Sequence, residues 1–106
     1  MNAKMSEYQD LLSGFIRLHA LHHAAEEEVF GLGMIEELAR HGYRLSAGTM
    51  YPMLHGMEKK GYLRSKEVLV GGKQRRLYSI TSLGRKALTV ARKQLKELFH
   101  ELSEHN

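Results

Sequence analysis

The adjacent glycines Gly71-Gly72 constrain this chain more than any other feature, because a two-residue β-hairpin turn requires two residues free to take positive φ. They lie between two β-capable runs, Leu63 to Val70 and Arg75 to Ile80, neither of which contains proline. Alternation along the first run is weak, so the second defines the hairpin better. A lone hairpin is marginal in water and must lean on other elements for a core.

The periodic segments around it are helical. From Ser6 to about Ala25, Tyr8, Leu12, Phe15, His19 and His22 recur at helical spacing with Leu11 and Leu18 alongside, which predicts a first helix with a broad buried stripe. After the polar Glu26-Glu27-Glu28, glycines at 31 and 33 precede a short second helix, about Leu32 to His41, that uses Ile35, Leu38 and Ala39 and stops at Gly42. Ser46 caps a third helix in which Met50, Met53, Leu54 and Met57 fall on one face, and Gly61 ends it. Pro52 lacks the donor that the Gly48 carbonyl expects, so the first turn is predicted to be irregular. Thr81 caps a last helix to about Glu104, along which Leu88, Ala91, Leu95, Leu98 and Leu102 form the a/d seam of a coiled coil. Three helices, a two-stranded wing and a long helix make a mainly α chain with a small β-hairpin: a winged helix-turn-helix over residues 1–80 and a C-terminal dimerisation helix over residues 81–106.

With 106 residues the chain can bury one core while leaving much surface exposed, and a second copy would cover the seam. The absence of cysteine excludes disulfide scaffolds, thiolate zinc sites and thiol nucleophiles, and agrees with a reducing, cytoplasmic setting. The first six residues lack the apolar stretch of a secretory signal, and no apolar run is long enough to span a membrane.

Charge is distributed unevenly. Residues 1–37 carry 2 basic and 7 acidic side chains, residues 38–86 carry 11 and 2, and residues 87–106 carry 3 and 3. A block of net +9 in an otherwise acidic or neutral chain is the footprint of a polyanion-binding surface, since each cation placed on a phosphate releases counterions. In a helix-turn-helix the second helix of the motif enters the major groove, and here that is the helix from Ser46. Its outer face is nearly free of aliphatic side chains: Thr49 and Tyr51 can bond phosphates, and His55 and Lys59 can reach base edges or the backbone. A packed core position for Tyr51, with its hydroxyl at the rim, is the competing reading. The wing, with Lys73, Gln74, Arg75 and Arg76 beside the glycine turn, suits flanking phosphate or the minor groove.

Residues from about Leu11 to Phe99 resemble the PadR family of bacterial transcriptional regulators. The resemblance rests on Gly31 followed by Ile35-Glu36-Glu37-Leu38, then Ser46-Ala47-Gly48-Thr49-Met50-Tyr51-Pro52-Met53-Leu54 and Met57-Glu58-Lys59-Lys60-Gly61-Tyr62-Leu63. It continues through Gly72-Lys73-Gln74-Arg75-Arg76-Leu77-Tyr78-Ser79-Ile80-Thr81 and Gly84-Arg85. It implies a homodimeric winged-helix repressor on a pseudo-palindromic DNA operator, often released by a small molecule, and it looks most like the short branch with one C-terminal helix. By position, Thr49, Tyr51, Lys73, Arg75 and Arg76 match DNA-facing residues, and Tyr62, Tyr78 and Ile80 match framework. The resemblance also implies that the C-terminal helix pairs with the partner's first helix, which would engage Leu11, Phe15 and Leu18 with the leucine seam. Relatives that stack planar drugs do so on a tryptophan of the C-terminal helix, and this chain has none.

Seven histidines are left over. His19 with His22 or His23 has the spacing that can bring two imidazoles to one metal, with Glu26 to Glu28 or His41 as the available third partners. Packing at an interface is the stronger reading, so no metal or cofactor is assigned. A small-molecule effector is placed near Phe15, His19 and Leu95, and a pH-responsive or metal-responsive regulator is the variant reading of the same histidines. An enzyme is not expected: Asp10 is the only aspartate, and no G-x-S-x-G, Walker or dinucleotide fingerprint occurs. A winged helix that docks another protein would replace the polar recognition face and cationic wing with apolar residues.

Overall fold

A computed structural model describes residues 8–104 and gives the order α1 (Gln9–Glu26), β1 (Val29–Phe30), α2 (Gly31–Arg40), α3 (Ala47–Lys59), β2 (Leu63–Val70), β3 (Lys73–Ile80) and α4 (Ser82–Glu104). The expected start of the first helix at Ser6 lies outside the described residues.

Helix α1 turns a different face to the core than its large side chains suggest. Ile16, Ala20, Leu21 and Ala24 are buried, while Tyr8, Leu11 and Phe15 are exposed. Alanines at 20 and 24 let neighbouring elements approach closely, and the expected stripe of Tyr8, Leu12, Phe15, His19 and His22 is only partly covered. The helix therefore carries apolar groups on two faces, one of which its own chain leaves open.

Helices α2 and α3 both stop at the expected glycines, in the same way. Gly42 (φ 91°) donates to the Ala39 carbonyl at 3.0 Å while Tyr43 N–H reaches Leu38 at 2.9 Å. Gly61 (φ 87°) donates to Glu58 at 2.9 Å while Tyr62 N–H reaches Met57 at 3.0 Å. This paired pattern satisfies orphan carbonyls and needs a left-handed residue, hence glycine. Contrary to expectation, α3 is continuous through Pro52. The Ser46 carbonyl receives both Thr49 N–H at 3.1 Å and Met50 N–H at 2.8 Å, and Gly48 and Pro52 are exposed, so the carbonyl that proline leaves unbonded sits on the solvent side.

The wing has three strands where two were expected. β2 and β3 form an antiparallel ladder from Leu63↔Ile80 to Val70↔Lys73, closed by Gly71 (φ 58°) and Gly72 (φ 80°) as a two-residue turn of the I′ kind. Val29 and Phe30 add a short strand, paired with Tyr78 and Leu77, and the order is β1-β3-β2. A two-residue strand carries no period, which is why it escaped the sequence reading. The ladder also shows that Lys73 and Gln74 belong to the strand, so the turn is the glycine pair alone.

Thr81 caps α4 as expected, accepting from Gly84 N–H at 3.0 Å, and its hydroxyl donates to the carbonyl of Gly61. A Cβ on Gly84 would overlap the Tyr62 carbonyl oxygen, so glycine here lets the helix start press against the end of the α3 turn. The core gathers Met34, Leu38, Met50, Leu54, Leu63 and Tyr78, all nearly inaccessible to solvent. Leu88 of α4 belongs to the same core. Ala91 and Leu95 stay half-covered beside α1, and past them the helix leaves the body of the molecule: the radius of gyration, 15.0 Å, exceeds the ~13 Å of a compact domain of this length.

Candidate nucleic-acid interface

Helix α3 buries Met50, Leu54 and Met57, with Met53 half-buried, and thereby presents the opposite side to solvent. Ser46, Thr49, Tyr51, His55 and Lys59 are all exposed, as the helical angles required. Ser46 occupies the cap position, but its hydroxyl donates to Thr49 Oγ1 at 3.4 Å instead of binding a backbone N–H. The free N–H groups at this helix start thus remain available to a phosphate oxygen.

Tyr51 is both a solvent-exposed and a packing residue. Its ring covers Gly31 so closely that any side chain there would overlap the ring and its hydroxyl, yet it keeps 36% of its surface exposed. The glycine at 31 is the sequence signal for this contact, legible only once α2 and α3 are known to cross at that point.

The wing divides the cations that the sequence read as one group. Because side chains alternate across a strand, the ladder places Lys73 and Arg75 on one face together with Arg64 and Lys66 of β2. Arg64 and Lys66 are exposed and were missed, since the weak pattern of the first run did not reveal which of its residues face outward. Arg76 and Gln74 lie on the other face. There Arg76 Nη1 donates to Ser65 Oγ at 2.9 Å, Ser65 donates to Glu58 Oε2 at 2.7 Å, and Arg76 Nη2 pairs with Glu67 at 3.4 Å. This chain ties the wing to α3 and fixes the angle between them. Arg75, half-buried, borders a cleft of about 680 Å³ whose far side is acidic, with Glu26, Glu27, Glu28, Glu36 and Glu37.

The predicted dimer residues fall into two groups. Leu88 is 7% exposed inside its own chain and is a core residue, which removes it from an intermolecular seam. Leu11, Phe15, Leu98 and Leu102 are exposed, Leu18, Ala91 and Leu95 half-covered. Phe99, 72% exposed, adds a large apolar group that the heptad count left out. Phe15, His19 and Leu95, named for an effector, do line one cavity of about 230 Å³ between α1 and α4, with Leu18, His22, Leu88 and Arg92.

The histidines are brought together across α1 and α2. His19, His23 and His41 each place a ring nitrogen within 4.8 Å of the others, and His23 Nε2 lies 3.0 Å from His41 Nε2. Burial pulls the His19 pKa below its ordinary value, and charge on His41, His23 or His22 would pull it further. Burial also lowers His23, against the opposing effect of Glu37.

The sequence profile of the Transcriptional regulator PadR-like family matches residues 20–90 of this chain. Transcriptional regulator Rv3488 of Mycobacterium tuberculosis (strain ATCC 25618 / H37Rv) is 52% identical over 87 residues, which cover 82% of this chain and 81% of that protein. A PadR family transcriptional regulator from Eggerthella lenta DSM 2243 superposes with a TM-score of 0.81 at 27% identity, covering 94% of this chain and 88% of its own. A PadR-like transcriptional regulator from Bacillus cereus strain ATCC 14579 also reaches 0.81, at 25% identity, over 90% of this chain and 94% of that one. Among the described residues no helix is long and apolar enough to cross a membrane. With the winged helix, the exposed polar face of α3 and the cationic strand in place, the chain belongs to the PadR-like family of transcriptional regulators, which are not enzymes.

Proposed function

We propose that the protein is a cytoplasmic, homodimeric repressor that sets α3 of each copy in the major groove of a pseudo-palindromic operator. The observation that carries this reading is the side of α3 facing solvent, where Thr49, Tyr51, His55 and Lys59 are exposed with no large aliphatic side chain among them, next to a wing that carries Lys73 and Arg75 on one face and Gln74 and Arg76 on the other. Ser46 and Thr49 stand at the helix start for a backbone phosphate, His55 and Lys59 reach the groove, and the wing, with Gln74 and Arg76 on its second face, meets flanking phosphate or the minor groove. The division of labour follows the chain, residues 1–80 reading DNA and residues 81–106 joining two copies. Leu95, Leu98 and Phe99 of α4 and Leu11, Phe15 and Leu18 of α1 supply the apolar surface for that pairing. A small apolar effector fits the cavity at Phe15, His19 and Leu95, where a ligand would alter how α4 leaves the body and so the spacing of the two α3 helices.

Selection of bound duplexes from a random pool tests the central claim. Enrichment of a two-fold symmetric site with half-sites about one helical turn apart is expected. Failure to enrich any sequence at low salt would transfer the winged helix to a protein-docking role.

A further inference from the structure

We propose that His19, His23 and His41 form a site for one divalent transition metal of the zinc class, joining the C-terminal half of α1 to the end of α2. The geometry carries it. Zinc holds imidazole nitrogens at about 2.0–2.1 Å in a tetrahedron, so that ligand nitrogens stand ~3.3 Å apart. Here all three offer a nitrogen within 4.8 Å of the others, and one pair is already at 3.0 Å, so small side-chain rotations bring the set to the required spacing. His19 and His23 are one helical turn apart on α1, and His41 is the residue that closes α2, just before the glycine turn.

A second layer of contacts orients the set. His23 Nδ1 lies 3.7 Å from Glu37 Oε2, close enough for a small shift to make a hydrogen bond, while Nε2 on the far side of the ring faces His41 Nε2 at 3.0 Å. Glu37 is in turn held by Arg40 Nη1 at 2.5 Å. A carboxylate behind the far nitrogen of a histidine is what fixes tautomer and ring direction in metal sites, and it raises the basicity of the ligand nitrogen. The neighbouring groups agree: His22 is engaged with Glu26 at 3.7 Å, and the Tyr43 ring packs tilted against His19 at 5.1 Å. His41 is exposed, which gives the ion an entry path and leaves a fourth position for water. With nitrogen donors only, the site suits zinc, copper or nickel over magnesium or calcium.

The experiment is a zinc titration of the full chain, stripped with a chelator, against a chromogenic competitor, with cobalt(II) absorption to report coordination. One ion per chain is expected, with the visible bands of a tetrahedral nitrogen site, and a hundredfold excess over the dissociation constant should raise the melting temperature by about 10 °C or more. His41→Ala and His23→Gln should each weaken zinc by about 100-fold, and Glu37→Gln by about 10–100-fold. His100→Ala, which removes the separate His100 and Glu104 pair of α4, should leave zinc binding unchanged. Far-UV circular dichroism of each chelator-treated variant checks the fold, and Glu37→Gln keeps the test decisive if a histidine variant unfolds. Absence of zinc binding in the parent, or equal affinity in parent and His41→Ala, would overturn the site.

Discussion

The Tyr51 ring occupies the space that a side chain at Gly31 would need, so the start of α2 and the exposed face of α3 are fitted to each other through one residue pair. This contact fixes the attitude of α3, the helix proposed to face DNA. Gly31→Ala should destabilise the fold by about 1–3 kcal/mol, the cost of inserting a methyl into a packed site, and should also displace Tyr51. Thermal melts alongside DNA affinity per folded molecule check it, and a neutral variant would mean that Tyr51 swings clear freely.

Tyr51→Phe isolates the hydroxyl. The ring keeps its packing on Gly31, so the melting temperature should hold, while DNA binding should weaken about fivefold to tenfold, the value of one hydrogen bond of roughly 1 kcal/mol. A large fall in stability with unchanged affinity of the folded fraction would make Tyr51 a framework residue only.

Glycine substitutions separate backbone need from chance. Gly14→Ala meets nothing within 4 Å and is on exposed α1, so it should stabilise by about 0.5–1 kcal/mol. Gly84→Ala should destabilise by more than about 1 kcal/mol, because the obstacle is the Tyr62 backbone carbonyl and cannot rotate away. Equal melting temperatures for the two variants would refute the close approach of α4 to the α3 turn.

The wing predicts a salt signature. Lys73→Ala and Arg75→Ala should each weaken binding to all DNA sequences and lower the slope of log affinity on log salt by about 0.9. Arg76 is committed to Ser65 and Glu67, so Arg76→Ala should also loosen the wing, at under about 1 kcal/mol given its exposed side chain. A parent protein whose affinity ignores salt would remove the electrostatic reading.

Much of this was legible in the residues. The glycine pair, the helix stops at Gly42 and Gly61, the cap at Thr81 and the polar side of α3 follow from local rules that act over a few residues, and each is found where those rules place it. What escaped depends on distant partners. The two-residue β1 exists only because β3 lies beside it, and the choice of Ile16, Ala20 and Ala24 as the buried face of α1 depends on which neighbours come close. The histidine triad lies between the two cases: the residues offered His19 with His22 or His23, and Glu26 to Glu28 or His41 as a third partner, and the packing of α2 on α1 selects His23 and His41 from these, with Glu37 behind.

Dimerisation through α4 is the last expectation. Leu98 and Phe99 are 43% and 72% exposed on a helix that extends past the core, and burying such side chains stabilises by about 1.5–3 kcal/mol each. Leu88, already in the core, is the wrong place to test this, since its truncation would cost about 2–5 kcal/mol of fold stability within one chain. Leu98→Glu with Phe99→Glu leaves the core intact and places charge where a second copy would pack. Sedimentation should show the parent as a dimer and the double variant as a monomer of unchanged helicity, because the substituted turns are solvent-facing within one chain. Two half-sites held at fixed separation need two α3 helices held likewise, so the monomer should keep weak nonspecific affinity and lose most of its sequence preference. A parent that sediments as a monomer at micromolar concentration would end the dimer reading and leave these apolar residues without their partner.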